Sequence, residues 1–152
     1  MNISKYDCEL NIEDRNSLSV IISKINPNST ILEFGPANGR MSKYLKEKLN
    51  CKVYGVEIDI NAAKDAVKYS ERVIVGNIEN YTWLEEYKNI KFDYIIFADV
   101  LEHLYFPEKV LTKSKVLLKE NGSILMSIPN IAHNAIIMGL LNNKFTCQDI
   151  GI

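Results

Sequence analysis

A short loop between an apolar segment and a helix-like segment carries the residues best suited to binding a ligand. Glu33 ends the apolar segment, and Gly35, Pro36 and Gly39 follow it. A pyrophosphate needs backbone N–H donors at the start of a helix. Pro36 has no N–H to donate, and Glu33 adds a negative charge that repels phosphate. The loop therefore predicts a cationic ligand without phosphate, and S-adenosylmethionine, which carries an ammonium and a sulfonium, fits that description.

A dinucleotide-binding loop is the main alternative for the same residues. Its fingerprint requires glycine at the first, third and sixth positions, which here hold Gly35, Ala37 and Arg40. Glycine at the sixth position lets the helix approach the strand closely, and arginine does not. An NAD-dependent oxidoreductase is therefore the second hypothesis. A module that binds adenosyl ligands without catalysis, and a loop that binds nothing, also stay open.

Two further segments end in residues that suit an adenosyl ligand. Glu57 ends the second apolar strand, where a carboxylate can accept hydrogen bonds from both hydroxyl groups of a ribose. Asn77 follows the third strand and can hydrogen-bond an adenine edge, while Ile58 and Ile78 can flank the ring. Asn77 is equally well explained as a turn residue. Taken together with the glycine loop, these positions favour ligand binding over isolated surface residues.

Apolar strands and helices alternate along the chain, and this alternation positions the candidate residues. The sequence predicts strands at 30–35, 52–58, 72–76, 92–98 and 123–128. Helices are predicted at 18–25, 38–50, 60–69, 81–87, 107–119 and 131–143, with a turn at Asn121-Gly122. Continuous apolar strands between helices indicate an α/β fold with a doubly wound parallel sheet. Ligands of such sheets bind at the carboxyl ends of the strands.

The order of the motifs resembles a class I S-adenosylmethionine-dependent methyltransferase over nearly the whole chain from Thr30 onward. The segments are "ILEFGPANG", "VYGVEID", "GNIEN", "FDYIIFADVLEHL" and "LLKENGSILMSIPN". The more specific ones resemble the small-molecule branch, which includes ubiquinone-biosynthesis O-methyltransferases and methyltransferases found beside bacterial glycosyltransferases. The resemblance implies a Rossmann-like sheet of order 3-2-1-4-5 and methyl transfer to a small hydroxylated or glycan-linked acceptor. Ala37 in place of a usual glycine, and Pro36 in the loop, depart from the family pattern.

The resemblance also implies which residues contact the cofactor, S-adenosyl-L-methionine. These are Glu33, Phe34, Gly35, Pro36, Ala37, Gly39, Glu57, Ile58, Asn77, Ile78, Ala98, Asp99 and Val100.

Both histidines of the chain follow predicted strands, where an acceptor would bind. His103 and His133 are therefore the candidate catalytic residues, as bases that take a proton from a hydroxyl group. A histidine that only hydrogen-bonds the backbone is an equal alternative for His103. Asp99, Glu102 and the two histidines also resemble a divalent-metal pattern of some relatives, but magnesium prefers oxygen ligands, so no metal is predicted.

Composition narrows the class of protein. The chain has 152 residues and a net charge of −1, which predicts one domain and neither a nucleic-acid nor a membrane partner. The small-molecule substrate is implied by the resemblance. Cys8, Cys51 and Cys147 are widely spaced and odd in number, so they are expected to be free thiols in the cytoplasm. The N-terminal residues lack the pattern of a signal peptide.

The end of the chain raises an expectation about the sheet edge. Related enzymes complete their sheet with an antiparallel hairpin, and residues 144–152 are too few to form one. The sequence therefore predicts a single methyltransferase domain, 1–152, that is truncated at its C-terminus. The alternative is a minimal protein that covers the edge of the fifth strand by forming a homodimer.

Overall fold

Five parallel strands form one sheet in the computed structural model, which describes residues 16–130 and 141–142. The strands are β1 (Thr30–Phe34), β2 (Lys52–Glu57), β3 (Arg72–Val75), β4 (Phe92–Ala98) and β5 (Leu118–Ser127), in the order β3-β2-β1-β4-β5. β1 pairs with both β2 and β4, so the sheet is wound outward in two directions from its centre. The predicted fold class and strand order are confirmed.

Within residues 16–130 there are five α-helices, of which four connect consecutive strands and one, α1, precedes β1. They are α1 (Ser17–Ile22), α2 (Arg40–Leu49), α3 (Ile60–Ala66), α4 (Thr82–Tyr87) and α5 (Pro107–Ser114). Asn16 caps α1 by accepting a hydrogen bond from the Ser19 backbone, and Pro107 begins α5, where a missing N–H costs nothing. The predicted helix 18–25 ends earlier, at Ile22, although Ile25 is still buried.

The predicted boundary between α5 and β5 is wrong. The helix ends at Ser114, and Asn121 and Gly122 lie inside β5 instead of forming a separate turn. Phe92 pairs with Leu118 while Tyr94 pairs with Ser123, so the extra residues of β5 form a bulge. A Cβ on Gly122 would lie 2.9 Å from the carbonyl oxygen of Phe92. The glycine therefore allows a close approach of two backbones within the sheet, and it does not form the predicted turn before the strand.

The central strands β1, β2 and β4 are buried on both faces of the sheet, as their apolar residues require. One core cluster contains the fully buried rings of Phe34, Phe97, Trp83 and Tyr87. The other contains residues of α1, α2 and β1, among them Ile31. Because side chains alternate along a strand, Glu33 lies on the same face as Ile31, and Phe34 lies on the opposite face. Glu33 is thus carried into the interior on the side of α2.

β5 is the outer strand of the sheet in the part of the chain that the structure describes. It pairs with β4, and the side chains of Met126 and Ile128 are about half exposed. An open groove of about 550 Å³ lies beside it, lined in part by Leu111, Leu118 and Ile124. The expected edge at the fifth strand is confirmed for these residues, and the homodimer stays a prediction.

Several expectations fall on residues outside the described ranges. They concern His133, Cys8, Cys147 and, except for its residues 141 and 142, the predicted helix 131–143. Cys51 is described, and it is a buried free thiol. No helix within residues 16–130 or at 141–142 is long and apolar enough to cross a bilayer.

Candidate functional site

The loop between β1 and α2 has three residues in the left-handed region. The φ angles are +67° at Gly35, +50° at Ala37 and +80° at Gly39. A Cβ on Gly35 would lie 2.9 Å from Cγ2 of Val100, and a Cβ on Gly39 would lie 2.7 Å from Cα of Ala66. Both glycines are therefore needed for the backbone angle and for the close approach. Ala37 adopts the same angle with a side chain, at a cost of about 1–2 kcal/mol.

The N–H groups of this loop are largely committed within the protein. Ala37 donates to Oε2 of Glu57 at 2.9 Å, and Pro36 has no N–H. Two further N–H groups donate to carbonyl oxygens: Gly35 to Val56 at 2.9 Å and Gly39 to Pro36 at 2.8 Å. A phosphate-binding loop presents such groups to its ligand, and here they are occupied by the protein itself.

Glu33 is a buried carboxyl group with one fixed oxygen. Its side chain is 3% exposed, and the Ser42 hydroxyl donates to Oε2 at 2.6 Å. Oε1 accepts no hydrogen bond from the described residues. Every fully buried side-chain oxygen or nitrogen atom in that part of the chain has a hydrogen-bond partner, so Oε1 is not fully buried and reaches the accessible surface. Burial raises the pKa of Glu33 to about 7; the Ser42 hydrogen bond opposes this rise, and the charge of Glu57 adds to it.

Glu57 joins the glycine loop to the turn that follows β2. Its Oε2 accepts the N–H of Ala37, and its Oε1 accepts the N–H of Asp59 at 2.9 Å. Asp59 in turn caps α3 by accepting from the N–H groups of Asn61 and Ala62. Each carboxylate oxygen has two acceptor sites, so Glu57 retains capacity for two further donors. The same residue can thus shape the loop and accept hydrogen bonds from a diol.

The residues predicted to contact an adenine differ in their exposure. Ile58 is 69% exposed after β2, whereas Ile78 is buried in the main core. Asn77 is exposed and caps a 3₁₀ turn, Ile78–Asn80, by accepting the N–H of Glu79 at 2.8 Å. Its φ of −73° is not left-handed, so its turn role is that of a cap. Whether Asn77 also contacts a ligand stays a prediction.

The segment after β4 is held by a second polar link. Asp99, whose φ is +53°, accepts the Ser127 hydroxyl at 2.8 Å, and its own N–H lies 3.1 Å from the same Oγ. Val100, which follows, lies against Gly35, and Ala98 packs with the second core cluster. A non-glycine residue held at positive φ beside the ligand edge is a common feature of functional sites.

His103 lies at the end of a 3₁₀ turn, Leu101–His103, after β4. Its imidazole is exposed, and Nε2 is 3.9 Å from Oε1 of Glu102. The backbone N–H of His103 donates to Val100, which is a helix-end contact. No group of three histidine, cysteine or acidic side chains suited to a metal occurs in ranges 16–130 and 141–142. The alternative metal pattern also includes His133, which lies outside the described residues, so that alternative is not tested.

Ser42 and Ser127 are the site residues that sequence reasoning missed. Ser42 lies between Met41 and Leu45 on the buried face of α2, where a hydroxyl needs a partner. A small polar residue on that face, next in the chain to an acid-bearing strand, was the available signal. Ser127 is separated from Asp99 by 28 residues, and only strand pairing brings them together.

These features define a class of protein. A doubly wound parallel sheet, a glycine loop after the first strand, and an acid at the end of the second strand are typical of Rossmann-like domains that bind adenosine-containing ligands. The two carboxylates beside the loop favour a cation over an anion.

Comparison with known proteins gives the family. The sequence matches the family described as a methyltransferase domain over residues 9–149, so the chain belongs to this family. A protein of Methanocaldococcus jannaschii, described as uncharacterized, is 32% identical over 102 residues, which are 67% of this chain and 45% of that protein.

Solved structures share the fold at low sequence identity. A plantazolicin methyltransferase in complex with SAH is 18% identical with a TM-score of 0.64, over 88% of this chain and 49% of that one. Coclaurine N-methyltransferase bound to N-methylheliamine and SAH is 18% identical with a TM-score of 0.61, over 72% of this chain and 34% of that one. The chain thus spans half or less of the length of each of these proteins.

Proposed function

We propose that this chain binds S-adenosyl-L-methionine and transfers its methyl group to a small acceptor molecule. Membership of the methyltransferase domain family supports the class of reaction. The residues around the glycine loop support the choice of cofactor, because they suit a cation. When bound, the cofactor supplies an activated methyl group, so the protein is left to position the acceptor and exclude water.

The observation that carries the choice of cofactor is the charge of the loop. Glu33 and Glu57 are both buried beside it, and no positive side chain is paired with either of them by an ion pair within the described residues. Ala37 donates its N–H to Glu57, and Pro36 has none. A pyrophosphate would meet two carboxylates and few donors, whereas an ammonium or sulfonium gains from both charges.

The proposed contacts follow from the positions of these side chains. Glu33 holds the cationic part through Oε1, and Glu57 accepts the ribose hydroxyls at its remaining acceptor sites. Gly35 and Gly39 let the loop backbone adopt positive φ and pack closely against Val100 and Ala66. Ile58 and Asn77 are exposed at the neighbouring strand ends, where they can contact an adenine.

For the acceptor we propose a small hydroxylated or glycan-linked molecule, with His103 as the base. The exposed imidazole of His103 follows β4, at the edge where the acceptor would lie. A hydroxyl acceptor loses its proton as the carbon–oxygen bond forms, and in this proposal His103 accepts that proton. His103→Ala should then slow methyl transfer to hydroxyl acceptors and leave cofactor binding unchanged.

Calorimetry with three ligands tests the choice of cofactor. We expect S-adenosylmethionine and S-adenosylhomocysteine to bind and NAD not to bind. Binding of NAD without binding of either adenosyl ligand would overturn the proposal in favour of an oxidoreductase. Binding without methyl transfer to any of a panel of hydroxylated acceptors would instead favour a module that binds adenosyl ligands without catalysis.

A further inference from the structure

Ser42 is a fully buried residue in the first turn of α2 whose hydroxyl has a specific acceptor. Its Oγ lies 2.6 Å from Oε2 of Glu33, a typical distance for a hydroxyl that donates to a carboxylate. A buried serine in a helix often donates instead to a backbone carbonyl one turn earlier, as Ser114 at the end of α5 does to Leu111 at 2.9 Å. Ser42 donates across the layer to the strand instead.

The hydrogen bond makes the two oxygens of Glu33 different. Oε2 is held against α2, and Oε1 is left as the oxygen that reaches the accessible surface. A carboxylate that accepted no hydrogen bond could rotate, and at 3% exposure it would more readily take up a proton. The Ser42 hydroxyl opposes both changes, because it fixes one oxygen and stabilises the ionised form.

We propose that Ser42 is a positioning residue for the cofactor: it holds Glu33 so that Oε1 faces the cationic part of S-adenosylmethionine. The inference rests on the proposed function, since it needs a cationic ligand at this loop. Ser42 itself does not touch the ligand. Its effect should therefore be confined to ligands that carry the positive charge, and it should depend on Glu33.

A purely structural role for Ser42 predicts a different result. Loss of a buried hydroxyl could loosen the packing of α2 against β1 and weaken the binding of every ligand of the loop to the same degree. A matched control separates the two cases, because Ser114 is also fully buried and its hydroxyl also makes one internal hydrogen bond. Ser114→Ala removes that group on α5, on the other face of the sheet.

The experiment compares two ligands that differ in charge. S-adenosylmethionine carries the ammonium and sulfonium, whereas 5′-methylthioadenosine keeps the adenosine part without either charge. For Ser42→Ala at pH 7.5 we expect about 10-fold weaker binding of S-adenosylmethionine by calorimetry, as for a lost hydrogen bond to a charged group. Binding of 5′-methylthioadenosine should change by less than about 2-fold, and Ser114→Ala should leave both constants unchanged.

A double-mutant cycle and a pH profile complete the test. In a Glu33→Gln background, Ser42→Ala should have no further effect on S-adenosylmethionine binding. In the wild-type protein that binding should weaken as pH falls through about 7; Ser42→Ala should move the midpoint to higher pH, because the hydrogen bond that favours ionisation is lost. Glu57 on β2 is the charged group acting on Glu33, and it is unchanged in both proteins.

The outcomes distinguish this inference from the function on which it rests. If Ser42→Ala weakened the binding of both ligands equally, or kept its full effect on S-adenosylmethionine binding in the Glu33→Gln background, the role of Ser42 would be structural. Either result would overturn this inference but not the proposed function. Ser42→Thr, which keeps the hydroxyl, should retain the ratio of the two affinities even if its stability falls. Absence of S-adenosylmethionine binding in the wild-type protein would overturn the proposed function and this inference with it.

Discussion

Replacing Glu33 by glutamine should make the free protein more stable at neutral and alkaline pH. The pKa of Glu33 rises from 4.5 to about 7 on folding, chiefly because the side chain is buried. The folded protein therefore binds more protons than the unfolded chain between these pH values. Stability from this group is fully present below about pH 4.5, and it is lost as pH rises through about 7.

The magnitude follows from the same two values. One pKa unit corresponds to about 1.4 kcal/mol, so the ionised carboxyl costs the folded state about 3 kcal/mol above pH 7. Glutamine keeps the shape of the side chain and an oxygen that can accept the Ser42 hydroxyl, and it carries no charge. Glu33→Gln should thus raise the free energy of unfolding by up to about 3 kcal/mol at pH 8 and by much less at pH 5.

Urea denaturation at pH 5, 6, 7 and 8 measures this difference directly. The control is Glu47→Gln, which removes a charge from the exposed side of α2 and should not produce the same pH dependence. A stability difference between Glu33→Gln and wild type that stayed constant from pH 5 to pH 8 would refute the reasoning. The same variant should bind S-adenosylmethionine at least about 10-fold more weakly, because a charge-assisted contact is lost.

Four further predictions concern the loop and the sheet edge. Glu57→Ala should weaken S-adenosylmethionine binding by about 1–3 kcal/mol in calorimetry, and an unchanged constant would remove Glu57 from the site. Gly35→Val should abolish that binding, because a branched side chain at φ +67° is strained and meets Val100; normal binding would refute the loop assignment. Ala37→Gly should raise the unfolding free energy by about 0.5–1 kcal/mol, because it relieves a φ of +50°, and a lower melting temperature would contradict this. Light scattering should show a dimer if a second copy covers the edge of β5, and a monomer at all concentrations would exclude the homodimer.

The fold was largely predictable because its signals are local and repeated. Each strand between residues 30 and 98 is mostly apolar, and each is followed by a segment of helical period. The end of α5 was not predictable in this way. Asn121-Gly122 has the composition of a turn, but pairing of Leu118 with Phe92 draws the preceding residues into β5, and this is a tertiary effect.

The positions of the candidate site residues could be predicted from the sequence, but their contacts in the folded protein could not. The type of residue at Glu33 and Glu57, and their places at strand ends, indicated the kind of ligand. What each carboxylate does in the free protein could not be inferred, because the partners come from other elements. The N–H of Ala37 reaches Glu57 across 20 residues, and the Ser42 hydroxyl reaches Glu33 from the helix layer.

The two carboxylates together give a physical reason for a cationic ligand. Ionised Glu33 costs the free protein stability, and the nearby charge of Glu57 raises that cost. A structural residue at Glu33 would serve better as glutamine, which satisfies Ser42 without a charge. An acid at this place is therefore a disadvantage to folding unless a positive group binds beside it, because such a group recovers by Coulomb attraction what burial loses. The stability that Glu33 costs the free protein and the proposed affinity for a cation thus have one origin. Both arise from a carboxylate that is held nearly out of water, with one oxygen fixed by Ser42 and the other facing the accessible surface.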